Sequence, residues 1–191
     1  GKVRTAVIRA GVEPSERVIS GLCSYLLLLW DWNKKINLTK LDDSVSGLDR
    51  LIGEPLAVST GEIEGSNYKM IDIGSGGGSP GIPLILLNQT NSLVLIEKKE
   101  KKGIFLREVI RELCLKNVSV EIAHYEELAN DICFKGVFDL LTVRGVRIDK
   151  DALVTLRMFL KVGGKLFLFG PLGGTGIKDV AAIGFISAEE R

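Results

Sequence analysis

Lys69-Met70-Ile71-Asp72-Ile73-Gly74-Ser75-Gly76-Gly77-Gly78-Ser79-Pro80-Gly81-Ile82-Pro83-Leu84 is the stretch on which the fold turns. An apolar run ends near an acid, glycines and a serine follow closely, and a second apolar segment begins at a proline. That order reads as a buried strand, a tight turn and the first turn of a helix. Glycine suits such a turn because it tolerates positive φ and lets a ligand approach bare backbone. Pro80 and Pro83 fit a helix entry, where the N–H groups have no intrahelical partner. Such a helix start offers donors and partial positive charge to a ligand carrying a carboxylate or phosphate.

Two cofactor classes use this geometry. The dinucleotide fingerprint can be placed on Gly76, Gly78 and Gly81, but Pro80 and Pro83 crowd its helix entry. The other frame is Asp72-x-Gly74-x-Gly76-x-Gly78, with the acid two residues before the first glycine. It is the pattern of S-adenosylmethionine (SAM) methyltransferases, in which the acid lies near the methionine ammonium and the loop holds the adenosyl group. Asp72, Gly74, Gly76 and Gly78 are therefore candidate cofactor-binding residues.

Outward from the loop, strand and helix patterns alternate. Strands are predicted over Met70–Ile73, Ser92–Ile96, Asn117–Ile122, Phe138–Val143 and Gly164–Phe169. Helices are predicted over Pro80–Asn88, Glu100–Cys114 and Ala152–Leu160, with a short helical segment at Tyr125–Asn130. In the second of these helices Ile104, Phe105, Val109, Ile110 and Leu113 are expected on the buried side. The alternation implies an α/β fold: a Rossmann-like, mostly parallel sheet with helices on both faces. Residues 1–68 read as an N-terminal helical extension. Its clearest helix starts at Glu13-Pro14-Ser15-Glu16 and carries Val18, Ile19, Leu22, Tyr25, Leu26, Leu29 and Trp30 at helical spacing. A second short helix is expected within Asp42–Pro55, and Ser59–Asn67 reads as a polar linker. Residues 69–191 form the SAM-binding core. A complete fold of this kind adds a final helix and an antiparallel strand pair, for which residues 171–191 are short, so the C-terminal hairpin is expected to be incomplete.

Composition narrows the class. Hydrophobic residues make up 46% and charged residues 26% of 191, which describes a soluble globular chain. Leu26–Trp30 is apolar but too short to cross a bilayer, no signal peptide is read at the N-terminus, and the opening glycine suggests a trimmed start. Three widely spaced cysteines, Cys23, Cys114 and Cys133, form no Cys-x-x-Cys pair, and His124 is the single histidine. No metal site is expected; the thiols are expected to be reduced and to behave as small core hydrophobes. With a net charge of +1, attraction to nucleic acid must come from local patches.

In such a sheet, ligands bind beyond the carboxyl ends of the strands. The second strand delivers Glu97, placed to accept hydrogen bonds from both ribose hydroxyls. The third is followed by His124-Tyr125-Glu126-Glu127, placed to border adenine. The fourth ends in Thr142-Val143-Arg144, where an arginine can bind a carboxylate or RNA phosphate or stack on a base. Lys98, Lys99, Lys101, Lys102, Arg107 and Arg111 concentrate positive charge around the following helix; such a run is usually a solvated face and is an unspecific RNA footprint. No hydrolytic set appears. Methyl transfer needs none, because the sulfonium is already activated and the enzyme has chiefly to align a nucleophile and exclude water.

Several stretches, in order, resemble one family: Trp32-Asn33-Lys34-Lys35-Ile36-Asn37-Leu38-Thr39; Asp72-Ile73-Gly74-Ser75-Gly76 with Pro80-Gly81-Ile82-Pro83-Leu84; and Phe105-Leu106-Arg107-Glu108 with Arg111-Glu112-Leu113. They resemble the bacterial 16S rRNA guanine-N7 methyltransferases, also called the glucose-inhibited division protein B family, over roughly residues 10 to 170. By that resemblance Gly74 and Ser79 match cofactor positions, Tyr125 and Glu126 match the segment bordering adenine, and Arg144 matches the functional arginine after the fourth strand. The resemblance implies SAM as cofactor, 16S rRNA or the small ribosomal subunit as partner, and a cytoplasmic, non-membrane, monomeric enzyme. Arg144, positioning substrate or cofactor, with Asn37 and Arg50, is expected to hold the RNA. Three positions depart from the family pattern on the substrate side: Val143-Arg144-Gly145 replaces Ser-Arg-Ala, Arg50-Leu51-Ile52-Gly53-Glu54-Pro55 replaces Arg-His-x-x-Asp-Ser, and Phe169-Gly170 lacks the usual lysine. The alternatives are a methyltransferase of another RNA or a small molecule, a nicotinamide-dependent oxidoreductase, and a SAM-binding module without catalysis.

Overall fold

Side chains alternate along a strand, so Met70 and Asp72 face one side of a sheet while Ile71 and Ile73 face the other. The computed structural model describes residues 1–60, 67–146 and 148–170, with the backbone of 182–184. In it β1 (Lys69–Ile73), β2 (Ser92–Ile96), β3 (Val118–Glu121), β4 (Phe138–Arg144) and β5 (Leu160–Phe169) pair in the order β3-β2-β1-β4-β5, all parallel. A short antiparallel strand, β6 (Ala182–Gly184), adds to the free edge of β5. The rest of the predicted C-terminal hairpin and most of the linker fall outside the described residues.

The alternation produces two cores. On one face Met70, Leu93, Leu95, Leu140, Phe167 and Phe169 pack beneath the N-terminal helices. On the other Ile71, Ile73, Ile96, Leu141 and Val143 pack with Leu156 and Phe159. The first face is covered by α1 (Lys2–Arg9), α2 (Glu16–Asn33), α3 (Val45–Leu48), a π-helical turn at Asp49–Gly53, α4 (Glu54–Ser59), α5 (Gly81–Leu87) and α6 (Glu100–Glu112). The second carries α7 (Tyr125–Leu128) and α8 (Lys150–Arg157).

Local chemistry explains the boundaries. Ser15 caps α2 by accepting from the Val18 N–H, as the Pro-Ser-Glu signal suggests. Asp149 caps α8 through the Ala152 N–H at 2.9 Å, starting that helix two residues before the predicted Ala152. β5 begins at Leu160 rather than Gly164, because an irregularity beside Phe138 and Leu140 lets Leu160 pair before the regular ladder resumes at Lys165.

Two packing expectations fail. Ile104 is exposed and Leu106 takes the buried place, since Phe105, Leu106 and Val109 define the inward face of α6. Cys114 and Cys133 lie at the surface, and Cys23 is half-buried. Both exposed thiols sit just beyond helical segments, where the chain turns outward, so neither acts as a core hydrophobe. Trp32 does pack, tilted against Phe105 at 5.7 Å between ring centroids.

Candidate functional site

The sheet reverses winding direction between β1 and β4, the place where a crevice opens at the carboxyl ends of such strands. A cleft of about 270 Å³ lies there. Its walls are Gly74 to Gly77 and Ser79 after β1, Glu97 after β2, Lys102 on α6, Arg144 at the end of β4 with Gly145 and Val146 after it, Leu38, Thr39 and Leu41 from the loop after α2, and Leu51 from the π-helical turn.

Period-two geometry puts the polar members on one face. Asp72 and Thr142 are register partners, and the Thr142 hydroxyl donates to Asp72 Oδ1 at 2.6 Å. Arg144 and Phe169 are partners on the next pair, and the guanidinium lies 4.8 Å from the Phe169 ring centroid. The Arg144 side chain is only 13% exposed, and its Nη1 lies 2.8 Å from Glu54 Oε2. That ion pair occupies Nη1, while Nε and Nη2 are buried without an acceptor among the described residues. Burial pulls the guanidinium's pKa down, and the Glu54 carboxylate opposes that fall.

The loop itself is braced from inside. Gly74 and Ser75 donate to the Ile96 carbonyl at 2.9 and 3.0 Å, and Gly78 donates to Ser75. Glu97, almost fully buried, accepts from the Gly76 N–H on Oε2 and from the Lys99 N–H on Oε1, both at 2.9 Å. Gly74 adopts φ +70°, and a Cβ there would stand 2.6 Å from Val146 across the cleft. From the N-terminal side, the buried Tyr25 hydroxyl donates to the Gly77 carbonyl at 2.7 Å, and Ser79 Oγ donates to the Leu51 carbonyl at 2.7 Å. Burial pushes the Tyr25 phenol's pKa far up, so it remains a donor.

Gly74, Gly76, Ser79, Glu97 and Arg144 thus come together as the sequence suggests. Asp72 does not join them. It is wholly buried beneath the loop, where a Cβ on Gly81 would stand 3.3 Å from its carboxyl carbon, and its Oδ2 has no hydrogen-bond partner among the described residues. Burial lifts its pKa to about 7 against the lowering effect of the Thr142 hydrogen bond. The acid is therefore enclosed within the fold and does not line the cleft. Gly78 also turns inward, its open side facing Ile82, Tyr25 and Leu106. That removes the bare backbone the dinucleotide frame needs at its second glycine. The helix start is closed off as well, because Gly81 is buried against Asp72.

Tyr125 and Glu126 fall outside the cleft lining; Tyr125 is half-buried against the second core and Glu126 is exposed. Asn37 is exposed on the turn after α2, and Arg50 is exposed but close enough for its charge to act on Arg144. Neither lines the cleft. Asn33 is the residue that sequence reasoning passed over. Its Oδ1 accepts from Leu38 and Thr39 N–H at 2.8 and 3.0 Å and its Nδ2 donates to the Thr39 carbonyl, folding the turn into a cleft wall. An asparagine at a helix end followed by a short polar loop was the available signal. Lys102, Leu51, Thr39 and Val146 were also missed as lining residues. Among the described residues no cluster of metal-ligating side chains occurs, and no helix is long and apolar enough to cross a membrane.

The residues present fit SAM. Flush glycine backbone gives a smooth floor, each Glu97 oxygen keeps a lone pair beyond its backbone bond, and the orphaned donors of Arg144 await an acceptor.

Comparison with known proteins bears on this cleft. The family described as rRNA small subunit methyltransferase G matches residues 19–170. Ribosomal RNA small subunit methyltransferase G of Streptococcus gordonii is 33% identical over 158 residues, covering 82% of this chain and 66% of that protein. Its counterpart from Dictyoglomus thermophilum is 34% identical over 140 residues, covering 73% and 58%. The chain therefore spans somewhat less than two thirds of these relatives' length. Among solved structures, the YcgJ protein of Bacillus subtilis superposes with a TM-score of 0.49 at 18% identity, over 59% of this chain and 47% of that one. By the family match and these relatives, the chain belongs to the rRNA small subunit methyltransferase G (GidB) family.

Proposed function

We propose that the protein transfers a methyl group from SAM to N7 of a guanine in small-subunit (16S) ribosomal RNA. The observation that carries this reading is that the cleft holds no free general base. Its serine and threonine hydroxyls are bonded to backbone, both Glu97 oxygens accept backbone N–H groups, and among the described residues neither histidine nor cysteine lines it. Guanine N7 already presents a lone pair on the base edge, so a reaction there needs no proton removed first. SAM, when bound, supplies a methyl group on a sulfonium that reacts directly with such a lone pair.

The chain's own residues then have three tasks. Glu97 offers its remaining lone pairs to the ribose hydroxyls. Gly74, Gly76 and Ser79 shape the floor beneath the adenosyl and methionine portions, with Tyr125 and Glu126 bordering adenine at greater distance. Arg144 aims its unpartnered donors at the acceptor edge of the guanine, with O6 the natural partner, leaving N7 free. N7 methylation adds positive charge to the base, and the Glu54 carboxylate keeps the Arg144 side of the cleft from repelling it. Because RNA's deep major groove hides N7 in duplex, the target has to be unpaired or splayed. Asn37 and Arg50, both exposed, contact the RNA outside the cleft in this reading.

In this reading residues 1–68 are an extension that builds one wall of the site, and residues 69–191 carry the SAM-binding core. The enzyme acts as a monomer in the cytoplasm, where its ribosomal substrate is. Incubation with labelled SAM and 30S particles, followed by mapping of the modified base, should yield 7-methylguanine in 16S rRNA; methylation of any other atom overturns the proposal. Arg144→Ala should lower transfer by about a hundredfold, within the range of a lost positioning donor, while SAM affinity changes little. Loss of SAM binding with RNA binding intact would remove Arg144 from the RNA side. Calorimetry should show SAM binding and no NAD binding.

A further inference from the structure

Positive charge on α6 is distributed unequally. At its far end Arg111 is held by Glu108 at 2.7 Å and by Glu112 at 2.9 Å. At the end nearest the cleft, Lys98, Lys99, Lys101 and Lys102 make no ion pair with any described residue. The first three project into solvent; Lys102 is half-buried and lines the cleft. Its Nζ stands 3.9 Å from the point a Cβ on Gly76 would occupy, over the rim of the loop. The neighbouring acid, Glu97, makes no ion pair with it; its two oxygens accept from the Gly76 and Lys99 backbone. On the opposite wall Arg144 already has Glu54. Lys102 is thus a half-buried cation in the cleft wall with no ion-pair partner among the described residues, open to a ligand that brings the opposite charge.

If Glu97 receives the ribose, the cofactor presents uncharged hydroxyls at this end, so its own carboxylate is not what Lys102 awaits. Three exposed lysines lie beside it in the sequence, with Glu100 the one acid between them, and add local positive charge suited to a polyanion. We propose that Lys102, with Lys98, Lys99 and Lys101 beside it in the sequence, is a phosphate-binding edge that holds the RNA backbone beside the target guanosine. This rests on the methyltransferase reading above and names a substrate contact for the same site.

The test measures two affinities on the full chain. SAM binding is read by calorimetry. Binding of a guanine-containing single-stranded RNA is read as a function of potassium chloride concentration. Lys102→Gln should leave SAM affinity within about twofold, weaken RNA binding several-fold at low salt, and flatten the slope of log K against log salt by about 0.7, the share of one phosphate contact on a single strand. Lys102→Arg should restore the slope, and the combined Lys98→Gln, Lys99→Gln and Lys101→Gln variant should flatten it further. An unchanged slope in Lys102→Gln overturns the proposal, as does a fall in SAM affinity with RNA binding intact, which would make Lys102 a cofactor contact. Failure of the wild-type chain to bind SAM would instead refute the methyltransferase reading, whatever the RNA slopes show.

Discussion

Asp72 shows how surroundings redirect a residue whose type and position were legible. The motif places an acid at the end of β1, and alternation correctly puts it on the face shared with Thr142 and Arg144. The pattern does not reveal that Gly81 packs directly over the carboxyl group, because which glycine faces the ligand and which faces the core depends on the path of the loop. Burial then raises the pKa from 3.8 to about 7. A folded-state value above the unfolded one means the native protein binds the extra proton between about pH 4 and 7. Stability from this group is fully present below the lower value, falls as pH rises through the window, and is level above it. The shift corresponds to an upper bound of roughly 4 kcal/mol. Asp72→Asn keeps the acceptor for Thr142 and removes the ionisation. The wild type should therefore lose thermal stability between pH 5 and pH 8, and Asp72→Asn should lose markedly less. Equal pH dependence in the two proteins would show that Asp72 is not the titrating group. At this scale Glu97 and Arg144 were readable because strand ends in a parallel sheet face the crevice. Lys102 was not, since a lysine in a basic run carries no signal of which neighbour turns inward.

Among the elements, α2 was the most legible of the amino-terminal helices, its stripe from Val18 to Leu29 lying at helical period with a Pro-Ser-Glu start. What periodicity conceals is that one member of the stripe does a different job. Tyr25 occupies a core position by spacing, yet its hydroxyl ends on the Gly77 carbonyl and its ring meets Gly78, so α2 grips the glycine loop. Tyr25→Phe preserves the ring and leaves the Gly77 carbonyl without its donor, at a cost of about 1–3 kcal/mol. Part of that loss should appear as loosened loop geometry, weakening SAM binding several-fold. Val18→Ala, two turns earlier on the same helix, removes buried methyls of the same core and should lower stability by a comparable amount. SAM affinity in that variant, measured well below its melting temperature, should match the wild type. Equal affinities in both variants would reduce Tyr25 to an ordinary core residue. The π-helical turn at Asp49–Gly53 and the irregular start of β5 escaped the sequence for a shared reason. Both are departures from a regular period, imposed by neighbours distant in the chain.

For the molecule as a whole, the parallel sheet followed from alternation and connection rules, because buried parallel strands read as short apolar runs between helical patterns. The relation between the amino-terminal segment and the sheet did not follow, since no local signal states how helices dock. The first core contains Ala6, Val18, Leu22, Tyr25, Leu26, Leu48 and Leu56 from the extension together with Met70, Leu93, Leu95, Phe105 and Leu140 from the sheet and α6. Unfolding the extension alone would expose this face of the sheet and release Gly77 and Ser79 from Tyr25 and Leu51. Such shared burial predicts one cooperative transition rather than two. The chain carries its own reporter, because both tryptophans, Trp30 and Trp32, lie in the extension. Urea unfolding followed by tryptophan fluorescence should coincide with unfolding followed by far-ultraviolet circular dichroism, which reports all the helices and strands. Saturating SAM should move both curves to higher denaturant together, since a ligand that binds only the native state stabilises whatever unfolds with its site. A fluorescence transition that precedes the dichroism change and ignores SAM would mean that the extension opens independently, and the cleft wall built by Leu38, Thr39 and Leu51 would then open with it.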